Sequence, residues 1–154
     1  MAKERENVPQ NLKWKTEDIF ATMQDWEDLY QKVSQKLDFS AYEGKLNNVE
    51  TVLECFTKLN EVTLDMNRLA VYAFMKHDED TRKSEYVALN SRMTTIEIQL
   101  GKNTSFIVPE LTALPVKKLE EFVSDERLKD YDYTLKGIIK QKPHVLSRET
   151  EEIL

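Results

Sequence analysis

The stretch from Asn47 to Lys76 contains neither glycine nor proline, and it constrains the fold more than any other feature of the sequence. Its apolar residues recur every three or four positions, the spacing of one face of an α-helix. That face comprises Val49, Val52, Phe56, Leu59, Met66, Leu69 and Ala73. We expect Asn47 to cap this helix, with Glu50 as the third residue of a capping box. A helix about 40 Å long is marginal alone, so it must pack against partners of similar length.

Two further helices are predicted on either side of this stretch. Thr22 and Asp25 form a capping box with a shortened acid at the start of a helix that should end near Asp38. After the long helix, Thr81 is expected to cap a third helix, which Gly101 should end. The first two thirds of the chain therefore read as a bundle of long helices.

The rest of the chain predicts shorter helices. Pro109 and Pro115 interrupt the sequence after the third helix, and Pro115 suits a first helical position. Only three glycines and four prolines occur in 154 residues, and no segment alternates apolar and polar residues as a strand does. The predicted fold class is all-α: a bundle of long antiparallel helices plus shorter C-terminal helices, with no significant sheet.

Three regions are expected along the chain. Residues 1–15 have little periodicity and predict an extended N-terminal arm, and residues 16–146 predict a helical N-terminal domain. Residues 147–154 resemble the start of a helix, capped by Ser147, that stops at Leu154 after too few residues to be stable in water. This helix predicts that the chain is a fragment of a longer polypeptide.

The charge balance disfavours two classes of partner. With 22 basic and 28 acidic residues the net charge is −6, which repels phosphate, so we expect no nucleic-acid partner. No apolar run is long enough to span a membrane, and we expect no membrane partner. The charged first residues and the lone cysteine, Cys55, predict a cytoplasmic protein without disulfides.

Few residues are candidates for chemistry. The two histidines, His77 and His144, lie in separate segments, and no HExxH zinc motif, nucleophile elbow or phosphate loop is present. The run from His77 to Asp80 lacks the spacing of a calcium loop and is interpreted as a solvated turn. We therefore assign no catalytic, cofactor-binding or metal-binding residue in this chain.

Two other features are interpreted as parts of the core. Cys55 shares the apolar stripe of Val52 and Leu59, where a thiol is usually inert. Phe74 and the nearby tyrosines are more typical of core residues than of a peptide-binding groove.

Four segments, read in order, resemble the N-terminal domain of oligoendopeptidase F. They are VPQNLKWKTEDIF followed by Trp26, LAVYAFMKHDEDTRKSEY, SFIVPEL, and LKDYDYTLKGIIKQKPHVLSRETEEIL. In the second segment the matching residues are Tyr72, Asp80, Thr81 and Tyr86. In the last they are Tyr131, Pro143, His144, Leu146, Ser147, Glu149, Glu151 and Leu154. The order and spacing of the segments cover nearly the whole chain.

The resemblance implies a cytoplasmic zinc metalloendopeptidase that cuts oligopeptides inside a helical channel, of which this chain would be the first quarter. In that family two histidines and a glutamate bind zinc, and all of them lie downstream of this chain. The resemblance therefore implies zinc in the parent enzyme, none bound by this chain, and an isolated fragment that is inactive. The expected partners are the C-terminal catalytic domain of the same polypeptide and the oligopeptide substrates of the parent.

A second interpretation from a different class stays open. The chain could be a stand-alone helical interaction module that binds a peptide or partner helix and has no enzyme attached. A fragment of a peptidase should instead expose an apolar face where the missing body belongs, and self-association through that face is then expected.

Overall fold

A computed structural model describes residues 7–142, and every regular element among them is helical. The α-helices are α1 (Met23–Ser34), α2 (Val49–Glu79), α3 (Ser84–Thr104), α4 (Ile107–Ala113), α5 (Val116–Ser124) and α6 (Asp132–Gln141). Short 3-10 helices occur at Gln10–Leu12, Thr16–Asp18, Ser40–Tyr42 and Glu126–Tyr131. The described residues contain no strand, and the prediction of an all-α fold is confirmed.

The described residues form two compact units. Unit 1 comprises residues 7–38 and 59–103, and unit 2 comprises residues 39–58 and 104–142. Helix α2 contributes residues to both, since it begins in unit 2 and continues in unit 1. The predicted boundaries of a helical domain at residues 16 and 146 stay a prediction.

The core of unit 1 is one cluster of apolar side chains from α1, α2 and α3 and from the segments on either side of α1. Its buried members are Phe20, Trp26, Val33, Leu37, Val62, Met66, Leu69, Ala70, Tyr72, Ala73, Leu89, Met93 and Ile96. Three amphipathic helices thus bury one face each, as the periodicity predicts.

Unit 2 is built from shorter elements. Helices α4, α5 and α6 and the 3-10 helix Glu126–Tyr131 pack on one another. The buried apolar residues of this unit are Phe39, Leu46, Val52, Cys55, Phe56, Ile107, Leu111, Leu119, Phe122, Leu128, Leu135 and Ile138.

The start of α1 follows the sequence prediction. The Thr22 side chain accepts a hydrogen bond from the Asp25 N–H, and the Asp25 side chain accepts one from the Thr22 N–H. The predicted end near Asp38 is wrong, because the helix ends at Ser34. The Lys36 N–H donates to the Val33 carbonyl, three residues back, at 2.8 Å, so the chain leaves the α-helical pattern there. Beyond this turn the Leu37 carbonyl accepts a hydrogen bond from Asn103 Nδ2 at 2.7 Å.

The cap of α2 lies one residue later than predicted. Asn48 Oδ1, not the Asn47 side chain, accepts a hydrogen bond from the Thr51 N–H at 2.9 Å, and the helix begins at Val49. Adjacent asparagines offer the same capping chemistry, so the sequence alone does not choose between them.

Both predicted ends of the third helix are wrong. Helix α3 begins at Ser84 and not directly after Thr81, because the Asp80 carboxylate accepts hydrogen bonds from the Arg82 N–H and Nε and forms a turn. The helix continues through Gly101 to Thr104. Glycine ends a helix where it adopts a positive φ, and among the described residues only Gly44 does so, at 75°.

Two prolines lie at positions where the helix needs no backbone N–H donor, so no hydrogen bond is lost. Pro109 lies in the first turn of α4, where no N–H partner is needed, and Pro115 lies just before α5, which begins at Val116. The prediction that Pro115 occupies the first helical position is therefore wrong by one residue. Helix α5 buries Leu119 and Phe122.

The expected helix at residues 147–154 and the histidine His144 lie outside the described residues. The prediction of an extended arm over residues 1–15 also stays a prediction; within it the structure describes the 3-10 helix Gln10–Leu12. In the part of the chain that is described, no helix is both long and apolar enough to cross a membrane.

Candidate functional site

The described residues do not provide a metal-binding site. No group of three or more histidine, cysteine, aspartate or glutamate side chains within residues 7–142 is arranged to hold a metal ion. His77 pairs with Asp78, with 3.4 Å between Nδ1 and Oδ1. These residues do not fit the zinc that the resemblance implies, since a catalytic zinc needs three protein ligands.

The run from His77 to Asp80 is more ordered than a solvated turn, so that interpretation is wrong in part. His77, Asp78 and Glu79 form the last residues of α2. The Glu79 side chain is only 3% exposed and lies 3.4 Å from the ammonium group of Lys76. Asp80 forms the turn, and hydrogen bonds from Arg82 lower the pKa of its carboxyl to about 2.

Aromatic residues surround the end of α2 near this turn. The Lys76 ammonium lies 5.6 Å from the Tyr72 ring centroid and 5.8 Å from that of Tyr86. Tyr72 also contacts Phe20 edge to face at 5.4 Å, and burial raises the pKa of its phenol. Lys76 and these tyrosines therefore join α2 to α3, so Tyr72 and Tyr86, two of the residues that carried the second segment of the resemblance, have packing contacts here.

Four side chains connect α1 with α3 in unit 1. The Arg92 guanidinium donates to both Glu27 oxygens, at 2.6 and 2.8 Å. The same guanidinium lies 4.0 Å from the Tyr30 ring centroid and 4.9 Å from that of Trp26. The hydrogen bonds from Arg92 lower the pKa of Glu27 to about 2. We name Trp26, Glu27, Tyr30 and Arg92 the arginine clamp.

Trp26 also connects α1 with α2. It is fully buried, stacks on Tyr30 at 5.2 Å, and donates its indole N–H to the Leu69 carbonyl at 3.0 Å. A buried indole that finds an acceptor keeps its apolar contribution without an unsatisfied donor. Trp26 therefore fixes the position of α1 in unit 1.

A carboxylate holds the loop before α2 in unit 2. Glu110 on α4 accepts hydrogen bonds from the Gly44 N–H at 2.9 Å and the Leu46 N–H at 2.6 Å. Gly44 takes the positive φ that this turn requires. Glu110 lies in the SFIVPEL segment, so this residue too has a structural contact.

The prediction that Cys55 is a core residue is confirmed. Its side chain is fully buried and free, and burial raises the pKa of the thiol to about 11. A thiol protonated at neutral pH is a poor nucleophile.

One face of α2 in unit 1 exposes large apolar side chains. Leu64 is 61% exposed, Val71 49% and Phe74 53%, and Asn67 lies between them on the same face. We name these four residues the α2 seam. The prediction that Phe74 belongs to the core is wrong, whereas Tyr72 beside it is buried. The signal for this face was present in the sequence, since its residues repeat at helical spacing but are offset from the core stripe.

The geometry thus defines a helical region in which the contacts described above join helices and position loops. The same fold occurs in a solved crystal structure of a candidate peptidase from Chlamydophila abortus, with a TM-score of 0.88 over 99% of this chain and 26% of that one. The two sequences are 23% identical, so this likeness establishes the fold alone.

Sequence comparison adds several bacterial relatives. The chain is 33% identical to oligopeptidase PepF of Bacillus subtilis over 98% of its own length and 23% of that protein. It is 31% identical to the chromosomal oligoendopeptidase F of Lactococcus lactis subsp. cremoris, over 96% of this chain and 25% of that protein. It is 30% identical to group B oligopeptidase PepB of Streptococcus agalactiae, over 100% of this chain and 26% of that protein.

The family model Oligopeptidase F matches residues 110–154. The chain is therefore homologous to the N-terminal region of oligopeptidase F, and the resemblance inferred from its motifs is confirmed. It spans about a quarter of the length of the curated relatives that it matches.

Proposed function

We propose that this chain is the N-terminal helical domain of a zinc-dependent oligoendopeptidase that hydrolyses peptide bonds in short peptides, and that it forms part of the substrate channel wall. One observation carries the proposal: nearly the whole chain aligns with a quarter of several proteins named oligopeptidases or oligoendopeptidases. The parent protein is accordingly an enzyme, and its catalytic part is a C-terminal domain of the same polypeptide.

The role of a wall is supported by how the described residues are used. The arginine clamp, the Trp26 hydrogen bond and the Glu110 loop contacts all tie elements together. Rigid helices are suited to enclosing a reaction space that admits flexible oligopeptides and excludes folded proteins. The chain alone is expected to be inactive.

Zinc in the parent enzyme is proposed on the strength of the resemblance. When bound downstream, it would polarise the peptide carbonyl and activate water. Residues 7–142 offer no three-ligand donor set, so they hold no step of that chemistry. We further propose a cytoplasmic location, which agrees with a buried cysteine that carries a free thiol.

The test is a peptidase assay on the full-length protein that carries this chain. A quenched fluorescent oligopeptide should be cleaved, a chelator should abolish the cleavage, and added zinc should restore it. A folded protein that contains the sequence of the oligopeptide should resist cleavage under the same conditions. Cleavage that persists undiminished in the chelator would contradict zinc dependence.

The second candidate, a stand-alone interaction module, is favoured by the exposed apolar residues of the α2 seam. It would bind a helix or peptide and have no associated activity. Oligopeptide cleavage by the full-length protein decides against this candidate.

A further inference from the structure

We propose that the α2 seam is the surface on which the C-terminal part of the same polypeptide packs, through one of its helices. This inference rests on the proposed function, because that function supplies the missing polypeptide. It goes further by assigning the contact to four residues, Leu64, Asn67, Val71 and Phe74.

The spacing of the seam fits a partner helix. Its residues follow one another at intervals of three, four and three positions, the repeat by which two α-helices pack side by side. Val71 and Phe74 are about half exposed and Leu64 is more exposed still, although α2 already buries its opposite face in the core of unit 1. A helix with apolar residues on two faces is typical of one packed on both sides.

The charge pattern supports the same conclusion. No seam residue is charged, and the exposed residues Glu61 and Arg68 lie on the flank of the seam. An apolar stripe with a charged edge is the usual arrangement of a protein interface. Asn67, a lone polar residue among apolar ones, is the kind of group that fixes the register of two helices.

The small area of the seam favours a partner that belongs to the same polypeptide over a second copy of the chain. A stable complex of separate molecules buries about 1,200–2,000 Å², far more than three apolar side chains can supply. Two copies would also bring together net charges of −6 each. A segment of the same polypeptide binds at high effective concentration and needs far less area. The relatives supply such a segment, since three quarters of each lies outside the region matched by this chain.

The experiment measures thiol labelling in the full-length protein. Leu64→Cys and Val71→Cys are made separately, and Glu61→Cys is the control on an exposed position of the same helix. Each variant is treated with a maleimide, and the rate at the new cysteine is followed by peptide mass spectrometry. Cys55 does not interfere, because it is buried and its peptide is resolved separately.

Both seam cysteines are expected to react at least about tenfold more slowly than the control cysteine. Reaction of both at the rate of the control would overturn the proposal, and so would protection that disappears on dilution, which would indicate a second copy. Peptidase activity is measured on the same samples. Active enzyme with unprotected cysteines overturns the seam alone; protected cysteines in a protein that does not cleave peptides with zinc present support the seam and overturn the proposed function.

Discussion

Arg92 on α3 contacts three residues of α1 through its side chain. It pairs with both oxygens of Glu27 and lies over the rings of Trp26 and Tyr30. We expect Arg92→Ala to lower the free energy of unfolding by about 1–3 kcal/mol, because it removes a bidentate pair and two cation–π contacts. Urea unfolding measures this.

The control for this variant is Lys129→Ala. Lys129 is 74% exposed and reaches Glu126 only at 3.6 Å, so its loss should change the unfolding free energy by less than about 0.5 kcal/mol. Equal effects of the two variants would show that Arg92 is an ordinary surface charge.

Glu27 gives the clamp a pH dependence. Its pKa is about 2 in the folded protein against an ordinary value of 4.5, so the ionised carboxylate stabilises the fold. This contribution is complete above pH 4.5 and is lost as pH falls toward 2. We expect Glu27→Gln to cost about 1–2 kcal/mol at pH 6, allowing for solvent screening, and about half of that at pH 3.

Unfolding in urea at the two pH values checks this expectation. Glu126→Gln, at a side chain 87% exposed, is the matched variant and should have little effect at either pH. A cost of Glu27→Gln that stays constant from pH 6 to pH 3 would be inconsistent with a lowered pKa.

At the scale of the elements, Gly101 and Gly44 occupy two different kinds of backbone position, one helical and one with a positive φ. Gly101 lies inside α3 with open space where a methyl group would be added, so Gly101→Ala should stabilise the chain by about 0.5–1 kcal/mol. Gly44 has a φ of 75°, a backbone conformation that residues with a side chain rarely adopt, so Gly44→Ala should destabilise the chain by about 1–2 kcal/mol. Thermal unfolding of the two variants gives opposite shifts. If Gly101→Ala destabilised the chain instead, the result would indicate that α3 ends at Gly101, as the sequence predicts.

The two asparagines before α2 provide a second test at the level of elements. Asn48→Ala removes the acceptor for the Thr51 N–H and should cost about 1 kcal/mol. Asn47→Ala should cost less than about 0.5 kcal/mol, since Asn47 is exposed and its side chain accepts a hydrogen bond from Asn48 Nδ2 and not from the helix backbone. Unfolding in urea ranks the two, and the reverse order would move the cap to Asn47.

The elements that sequence predicts well are those decided by local chemistry. The capping box at Thr22 and the long helix over residues 49–79 follow from side-chain hydrogen bonding and apolar spacing. The end of α1 and the start of α3 were instead set by turns beside the helices, in which Lys36 donates to the Val33 carbonyl and Arg82 donates to the Asp80 carboxylate. No pattern within one helix contains that information.

The candidate surface was harder to predict than the core. Apolar residues at helical spacing place Phe74 in the core when they are read as a single face, whereas α2 has two such faces. Only packing shows which of the two has a partner. Arg92 was also missed, since a basic residue on α3 gives no sign that Glu27 and two rings lie opposite it.

At the scale of the whole molecule, the contacts of the described residues join helices to one another and position the loops between them. These residues form helical units homologous to the N-terminal region of oligopeptidase F, and the exposed α2 seam is the surface on which we propose that a partner helix packs. The proposed peptidase, with zinc chemistry and channel wall in different parts of one polypeptide, would account for both features.

The most direct test of this proposal is the coding sequence downstream of the Leu154 codon. We predict an open reading frame that continues for several hundred codons and contains HExxH followed by a further glutamate. A stop codon directly after Leu154 would contradict the proposal and leave a helical module that binds a partner through the α2 seam.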